Sequence, residues 1–413
     1  MNSYQVFYIF SRIKDLQEKI PRCIISMITL WKRKEDTMLD LTQLRKEIDD
    51  IDRQIVKLFE KRMAVSEKVA RFKIETGKPV FDPVREKEKL NTLSHQAAGE
   101  FNSRGIYELY RQIMSISRKR QYQLIEEHQN NNDPFFSPVD ALKKEGVTVV
   151  FQGVEGAYSY AAMNTFFGKN IKSFHVDTWK DAMEAIKNHE ADFAVLPIEN
   201  STAGIVQDNY DLLTKYDHVI VGEQIIPCQH ALVGLPGTLL DEIRDIYSHP
   251  QALMQCREFL ETHREWTTHE FGNTAAAAKK IAEEGNRTQA AISSPYAAEF
   301  FGLSVLKENI FTNAGNSTRF IIVTKDKIYC RNAGKISVSY ELPHESGSLY
   351  NSLSHFIYNG LNMTKIESRP VRGRNWEYRF FVDFEGNLSD SAVKNALKGL
   401  EAETQNFRIH GNY

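Results

Sequence analysis

Residues 41–73 read LTQLRKEIDDIDRQIVKLFEKRMAVSEKVARFK. Within them Leu41, Leu44, Ile48, Ile51, Ile55, Leu58, Arg62, Val65, Val69 and Phe72 recur at steps of three and four. That step is the apolar seam of a packed helix. Nine of these ten residues are apolar and the tenth is an arginine. A charge on such a seam costs several kcal/mol unless an anion meets it. The stretch therefore predicts a long helix over about 40–76, ended by Gly77-Lys78-Pro79, with a buried anion at Arg62. Taken alone, the same residues also fit a coiled-coil dimerisation helix in which Arg62 forms a structural ion pair.

The chain around this helix is 413 residues long, enough for two to four domains. It is 42% hydrophobic and 26% charged with a net charge of −2, so no global basic field points to nucleic acid or to a membrane. Cys23, Cys228, Cys256 and Cys330 are scattered, which argues against a zinc site or disulfide framework and for a reducing, cytoplasmic setting. Residues 1–37 differ in texture from the rest. Their apolar stretch, Ile24 to Trp31, is too short to span a bilayer and leads into WKRKED, not into a small-residue cleavage site. The expectation is that Met38 is the natural start; the intact mass of the natively expressed protein tests it.

Further along, a short helix is expected near 83–96 and a third over about 103–127, with Ile106, Tyr110, Ile113, Ser117, Gln121 and Leu124 on its seam. HQNNNDPFFSPVD reads as a linker, set at 129–145. From Val147 short β-branched runs (VTVVF, DFAVLPIE, VIVGEQIIP, DIYS, QAAIS, RFIIVTK) alternate with helices, an α/β pattern with substantially parallel sheet, bounded at 146–327. A third texture over 334–413 has the order βαββαβ, the ferredoxin-like arrangement. The chain is thus expected to be multi-domain, α then α/β.

The first module carries polar residues where apolar ones belong. Ser117 and Gln121 lie four apart on the third seam. Lys73 follows Arg62 by about three helical turns, hence on the same face. FDPVRE then presents Asp82, Arg85 and Glu86 together. Such a set suits a small dianion. Arg45 precedes Lys73 by roughly 42 Å of straight helix, so it would act only if an antiparallel copy brought it near. RKEIDDIDRQIVKLFEKRMAVSEKVARFK, KPVFDPVREKEKL and SRKRQYQ together resemble the all-helical chorismate mutase family, over a module set at 38–128. The resemblance implies substrate binding by Arg62, Lys73, Asp82, Arg85, Glu86, Ser117 and Gln121, with Arg45 from a partner subunit of an intertwined dimer. It implies an isomerase that rearranges chorismate to prephenate. Cations would clamp two carboxylates, while Lys73 and Gln121 would donate to the ether oxygen as its bond breaks.

In the second module FQGVEGAYSYAA, PIENSTAG, YSHPQALMQC and GNTAAAA (Thr274 read as its cap) set polar residues at strand-to-helix turns, and NSTRF leads into a strand. Each alone is an ordinary helix cap. Together they resemble prephenate dehydratase, a lyase of two α/β lobes similar to periplasmic binding proteins. The resemblance implies that Thr318 helps protonate the departing hydroxyl of prephenate. Glu199, Asn200, Ser248, Gln255, Thr274, Arg319 and Phe320 would surround the substrate, and no cofactor or metal would be needed. Two departures stand out: Gly153-Val154-Glu155-Gly156-Ala157 replaces the family's Gly-Pro-x-Gly-Thr, and Gly272 stands where some members have Glu. A ligand sensor without chemistry is the competing reading of such lobes.

GSLYNSLSHF and ESRP in the third module resemble the ACT domain, which binds phenylalanine between paired copies. Gly347, Ser348, Leu349, Glu367, Ser368, Arg369 and Pro370 would hold the effector; a plain dimerisation domain is the alternative. The whole implies a phenylalanine-inhibited homodimer or higher homo-oligomer that takes chorismate through prephenate to phenylpyruvate in phenylalanine biosynthesis. A phenylalanine-responsive scaffold with dead sites is the second reading.

Overall fold

The structure is a computed structural model that describes residues 40–128, 136–312, 315–371, 373–374 and 376–413. The expectation about residues 1–37 lies outside the described residues, as does 129–135 of the expected linker. The chain divides into two units after Val69, within the first helix.

That helix, α1, spans Leu41–Thr76. In the first unit its seam is open: Ile48, Ile51, Ile55, Leu58 and Val65 are each more than half exposed, Arg62 is half-buried and Arg45 is exposed. The seam that the sequence placed in a core therefore faces outward within a single chain.

The second unit continues with α2 (Pro83–Ser94) and α3 (Glu100–His128). Asp82 caps α2 by accepting from Arg85 N at 3.1 Å, and Pro83 fills the first helical position, where no N–H is needed. Within the expected linker β1 (Ser137–Val139) adds a short parallel pairing.

The first α/β lobe comprises β2 (Thr148–Gln152), α4 (Tyr158–Phe167), β3 (Lys172–Val176), α5 (Trp179–Lys187), β4 (Phe193–Asn200), β5 (Gly204–Ile205), α6 (Gln207–Lys215) and β6 (Val219–Pro227). The second comprises β7 (Ala231–Gly234), β8 (Asp245–Ser248), α7 (Pro250–Gln255), α8 (Arg257–Glu261), β9 (Thr267–Glu270), α9 (Thr274–Glu284), β10 (Gln289–Ser293), α10 (Pro295–Phe301) and β11 (Ser304–Lys307). The chain then returns to the first lobe as β12 (Ser317–Thr324), followed by β13 (Ile328–Cys330), the partner of β1. The C-terminal module is β14 (Lys335–Leu342), α11 (Ser348–Tyr358), β15 (Met363–Pro370), β16 (Tyr378–Glu385), α12 (Ser391–Glu403) and β17 (Gln405–Asn412), in the order βαββαβ.

One sheet runs β15-β16-β14-β17-β6-β12-β4-β2-β3, and the second lobe has its own, β11-β7-β10-β8-β9. Pairing is mixed: β2 is parallel to β3 and β4, while β12 is antiparallel to both neighbours. β12 explains why RFIIVTK is an unbroken apolar run. Phe320 and Ile322 enter one core and Ile321 and Val323 the other, so the strand is buried on both faces. At about 1.5–3 kcal/mol for each buried aliphatic side chain, this strand anchors the lobe and fixes Thr318 at its start.

Candidate active sites

Thr318, the second residue of β12, lies opposite Asn200 on β4 and Ile226 on β6. Asn200 Oδ1 accepts from Thr202 N at 3.1 Å and Ala203 N at 2.9 Å, which turns its amide nitrogen toward Thr318. Asn200 Nδ2 then donates to Thr318 Oγ1 at 2.9 Å. The hydroxyl is thus polarised by a donor on its oxygen. Cys228 Sγ lies 3.1 Å from the same oxygen, and burial raises the thiol pKa, so it stays protonated.

The second lobe reaches this point through Gln255 at the end of α7. Gln255 Nε2 donates to Thr202 Oγ1 at 2.9 Å, while its Oε1 accepts from Asn316 Nδ2 at 3.1 Å and from His230 Nε2 at 2.8 Å. An acceptor at Gln255 requires a proton on His230 Nε2, which leaves Nδ1 as the other lone pair, 3.4 Å from Tyr158 Oη. Burial lowers the His230 pKa, in keeping with a neutral ring. The result is a neutral, donor-rich patch where both lobes meet.

A second cluster surrounds the α1–α2 turn. Lys73 Nζ donates to Val80 O at 2.7 Å. Burial lowers its pKa; Glu86 and Asp82 oppose that shift and Arg85 and Arg118 reinforce it, so all five groups share one electrostatic site. Ser117 and Gln121 are buried on α3, with Ser117 Oγ donating to Ile113 O at 2.8 Å.

In the C-terminal module Gly347 caps α11 at φ 78°, a left-handed conformation suited to glycine. An added Cβ there would also collide with the guanidinium of Arg111, which donates to Ser346 O at 3.0 Å. Ser348 opens α11, and Leu349 is exposed next to it.

Residues 149–328 match the family model for prephenate dehydratase, and residues 44–122 the model for chorismate mutase type II. The chain is 30% identical over 380 residues to the bifunctional chorismate mutase/prephenate dehydratase of Aquifex aeolicus, covering 91% of this chain and 98% of that protein. It belongs to the bifunctional chorismate mutase/prephenate dehydratase family. The Escherichia coli K12 member is 29% identical over 379 residues, covering 90% and 96%. Among solved structures, the Arthrobacter aurescens prephenate dehydratase in complex with L-Phe is 34% identical with a TM-score of 0.60, covering 65% of this chain and 89% of that one.

Other residues that the prephenate dehydratase resemblance assigned to the substrate make protein contacts away from the Thr318 patch. Arg319 follows Thr318 on a strand and so projects to the other face, where Nη2 lies 2.7 Å from Asp383 Oδ2. Glu199 likewise faces the C-terminal module, 2.7 Å from Lys365 Nζ. Phe320 is buried in the lobe core. Ser248 is fully buried and donates to Ile292 O at 2.6 Å, and the cap of α9 is Asn273 (accepting from Ala276 N at 2.7 Å), one residue before Thr274. Gly272 is exposed, with open space where a side chain would stand.

The effector set is also divided. β15 alternates, so Glu367 and Arg369 take the inner face and Ser368 and Pro370 the outer. Arg369 Nη2 lies 3.2 Å from Asp211 Oδ1 on α6. Cys228, His230 and Asn316 carried no sequence signal, because they sit in lobe-crossing segments without periodicity. Arg118 carried one: Met114, Arg118, Tyr122 and Ile125 form a second three–four stripe that it interrupts, as Arg62 interrupts the first. Among the described residues no group of three His, Cys, Asp or Glu side chains is placed to hold a metal.

Proposed function

We propose that the chain rearranges chorismate to prephenate in the helical module (38–128) and converts prephenate to phenylpyruvate in the two-lobed module (146–327). The C-terminal module (334–413), an ACT domain of ferredoxin-like order in this reading, binds phenylalanine as a feedback signal.

The observation that carries the dehydratase half is the polarised Thr318. Decarboxylation of prephenate drives electrons into the ring and expels hydroxide, which must leave as water. Thr318 Oγ1 accepts from Asn200, so its own proton is free for the departing hydroxyl. Because a threonine is a weak acid, its part is a strong hydrogen bond or a relay, with Gln255, His230 and Cys228 around it as an uncharged surround. Aromatisation supplies the driving force.

For the mutase, Lys73 and Arg85, with Arg62, suit the two carboxylates of chorismate, and Gln121 with Lys73 suits the ether oxygen. The substrate hydroxyl needs an acceptor; Asp82 Oδ1 is taken up in capping α2, and Glu86 on the first turn of that helix offers a carboxylate oxygen. The open α1 seam supports an antiparallel second copy as its cover, bringing a partner Arg45 to the site. Phenylalanine control is supported by the L-Phe complex of the Arthrobacter relative. No helix among the described residues is long and apolar enough to cross a membrane. Cys228, Cys256 and Cys330 are free thiols, in line with a cytoplasmic enzyme.

A single assay tests the reading. Chorismate is followed to phenylpyruvate with wild type, Arg62→Ala, Thr318→Ala and added phenylalanine as separate arms. Arg62→Ala should stop prephenate formation, Thr318→Ala should let prephenate accumulate, and phenylalanine should slow the second step. A wild-type rate in both variants would refute it.

A further inference from the structure

Arg118 stands where the mutase cluster meets the C-terminal module. Its side chain is 7% exposed. A buried guanidinium must find acceptors for its five N–H groups. It finds two carboxylates on opposite sides. Nη1 donates to Glu86 Oε2 on α2, while Nε and Nη2 donate to Glu403 Oε1 and Oε2 at 2.6 and 2.9 Å. The pairing with Glu403 is bidentate, which fixes direction as well as charge. The Phe81 ring lies 4.8 Å from the guanidinium carbon and holds its plane.

Glu403, at the end of α12, is itself anchored. His355 Nε2 on α11 lies 3.3 Å from Glu403 Oε2. The backbone makes room for that contact: an added Cβ at Gly399, one turn earlier, would collide with the His355 ring. Burial alone would raise the Glu403 pKa, but His355 and Arg118 overcome it and hold the carboxyl at about 2. The frame around the clamp is tied down as well, with Lys119 Nζ donating to Ser354 Oγ at 2.8 Å and Glu126 lying 3.8 Å from both Lys394 and Lys398.

We propose that Arg118 is a positioning residue of the mutase reaction: clamped by Glu403, it fixes the Glu86 carboxylate in the substrate cage, so the C-terminal module supplies part of the mutase site. This rests on the mutase assignment made above. Glu86 is a long side chain on the first turn of α2, and ordering such a group on binding costs rotamer entropy. Arg118 orders it before substrate arrives. It holds Oε2 and leaves Oε1 for the substrate hydroxyl. Preorganised acceptors of this kind act through geometry, and a displacement of about 1 Å can cost on the order of a hundredfold in rate.

The test uses the full chain with Arg118→Gln, Arg118→Lys, Glu403→Gln, the Arg118→Gln/Glu403→Gln double variant, Glu86→Gln and Arg85→Ala. Mutase and dehydratase constants are measured on each preparation, together with the unfolding temperature. Glu403→Gln should lower mutase kcat/KM on the order of tenfold and Arg118→Gln by ten- to a hundredfold, the range of a misplaced group. The dehydratase constants should be unchanged. Arg118→Lys should recover part of the loss, and the double variant should be no slower than Arg118→Gln alone, because Glu403 acts through Arg118. Mutase kcat/KM within twofold of wild type in Arg118→Gln and Glu403→Gln, with Glu86→Gln impaired, overturns the proposal and leaves the site assignment standing. A parallel fall of both activities with the unfolding temperature also overturns it, as a merely structural role. Wild-type mutase rates in Glu86→Gln and Arg85→Ala would sink the site assignment and the clamp with it.

Discussion

Arg319 Nη2 lies 2.7 Å from Asp383 Oδ2, so the residue beside Thr318 in sequence fastens the dehydratase strand to the C-terminal module. Asp383 is further held by Ser337 Oγ at 2.5 Å, and Arg319 Nε lies 3.5 Å from Glu223. The pair is largely buried, and removing one partner of a buried pair leaves an uncompensated charge that costs about 3–5 kcal/mol. Arg319→Met should therefore lower stability in a denaturant titration by that order while leaving KM for prephenate within a few-fold. A large rise in KM with unchanged stability would return Arg319 to the substrate.

Thr318 should behave in the opposite way. Thr318→Ala removes the hydroxyl that Asn200 polarises, and loss of a donor to a charge-developing oxygen costs about 10²–10³ in kcat. Thr318→Ser should stay within about tenfold of wild type, since the donor remains. Mutase activity, measured on the same samples, should not change. Equal dehydratase rates for Thr318→Ala and wild type would rule the hydroxyl out.

These two neighbours show what one-dimensional reading could reach. The three helices of the first module and the main α/β strands were legible because each has a sustained period and clear stops. β1 and β13 were not, since three residues carry no period. Thr318, Asn200 and Gln255 do converge in one hydrogen-bonded patch. The residues outside the patch share one cause. Consecutive strand residues point to opposite faces, so beside Thr318, Asn200 and Ser368 the neighbours Arg319, Glu199 and Arg369 make ion pairs between modules. Arg118 is legible in the same way, since its interrupted stripe repeats the signal at Arg62.

Acid should weaken the fold from just below neutrality. His410 is buried, stacked on Phe381, and lies 2.8 Å from Ser339 Oγ; burial, then Arg408 and Arg379, lower its pKa from 6.5 to about 3. Between those values the unfolded chain binds a proton that the folded chain refuses, so stability falls as pH falls through that window. His218 and His230, both lowered by burial, act in the same direction. Glu403 adds a loss only lower, between about 4.5 and 2, where its folded carboxylate would protonate. Unfolding free energy measured from pH 7 to pH 4.5 should drop steadily, and His410→Gln should flatten that slope. An unchanged slope in the variant would assign the loss to other groups.

The open seam of α1 gives the last expectation. Ile51, Ile55 and Leu58 are each more than half exposed in the single chain. Burying such a side chain is worth about 1.5–3 kcal/mol, so a row of them left in water strongly favours a second copy. A carboxylate in the middle of the row would oppose that association without touching the lobes. Ile55→Glu should therefore run as a smaller species in sedimentation, lose mutase activity by a hundredfold or more on the order of a missing cationic clamp, and keep its dehydratase rate at saturating prephenate. Dilution of the wild-type chain should give the same split, with mutase activity per chain falling as the oligomer dissociates and returning on concentration. Mutase activity that stays with a demonstrably monomeric Ile55→Glu chain would mean that Arg45 of a second copy is not needed and that the site around Arg62 closes within one chain.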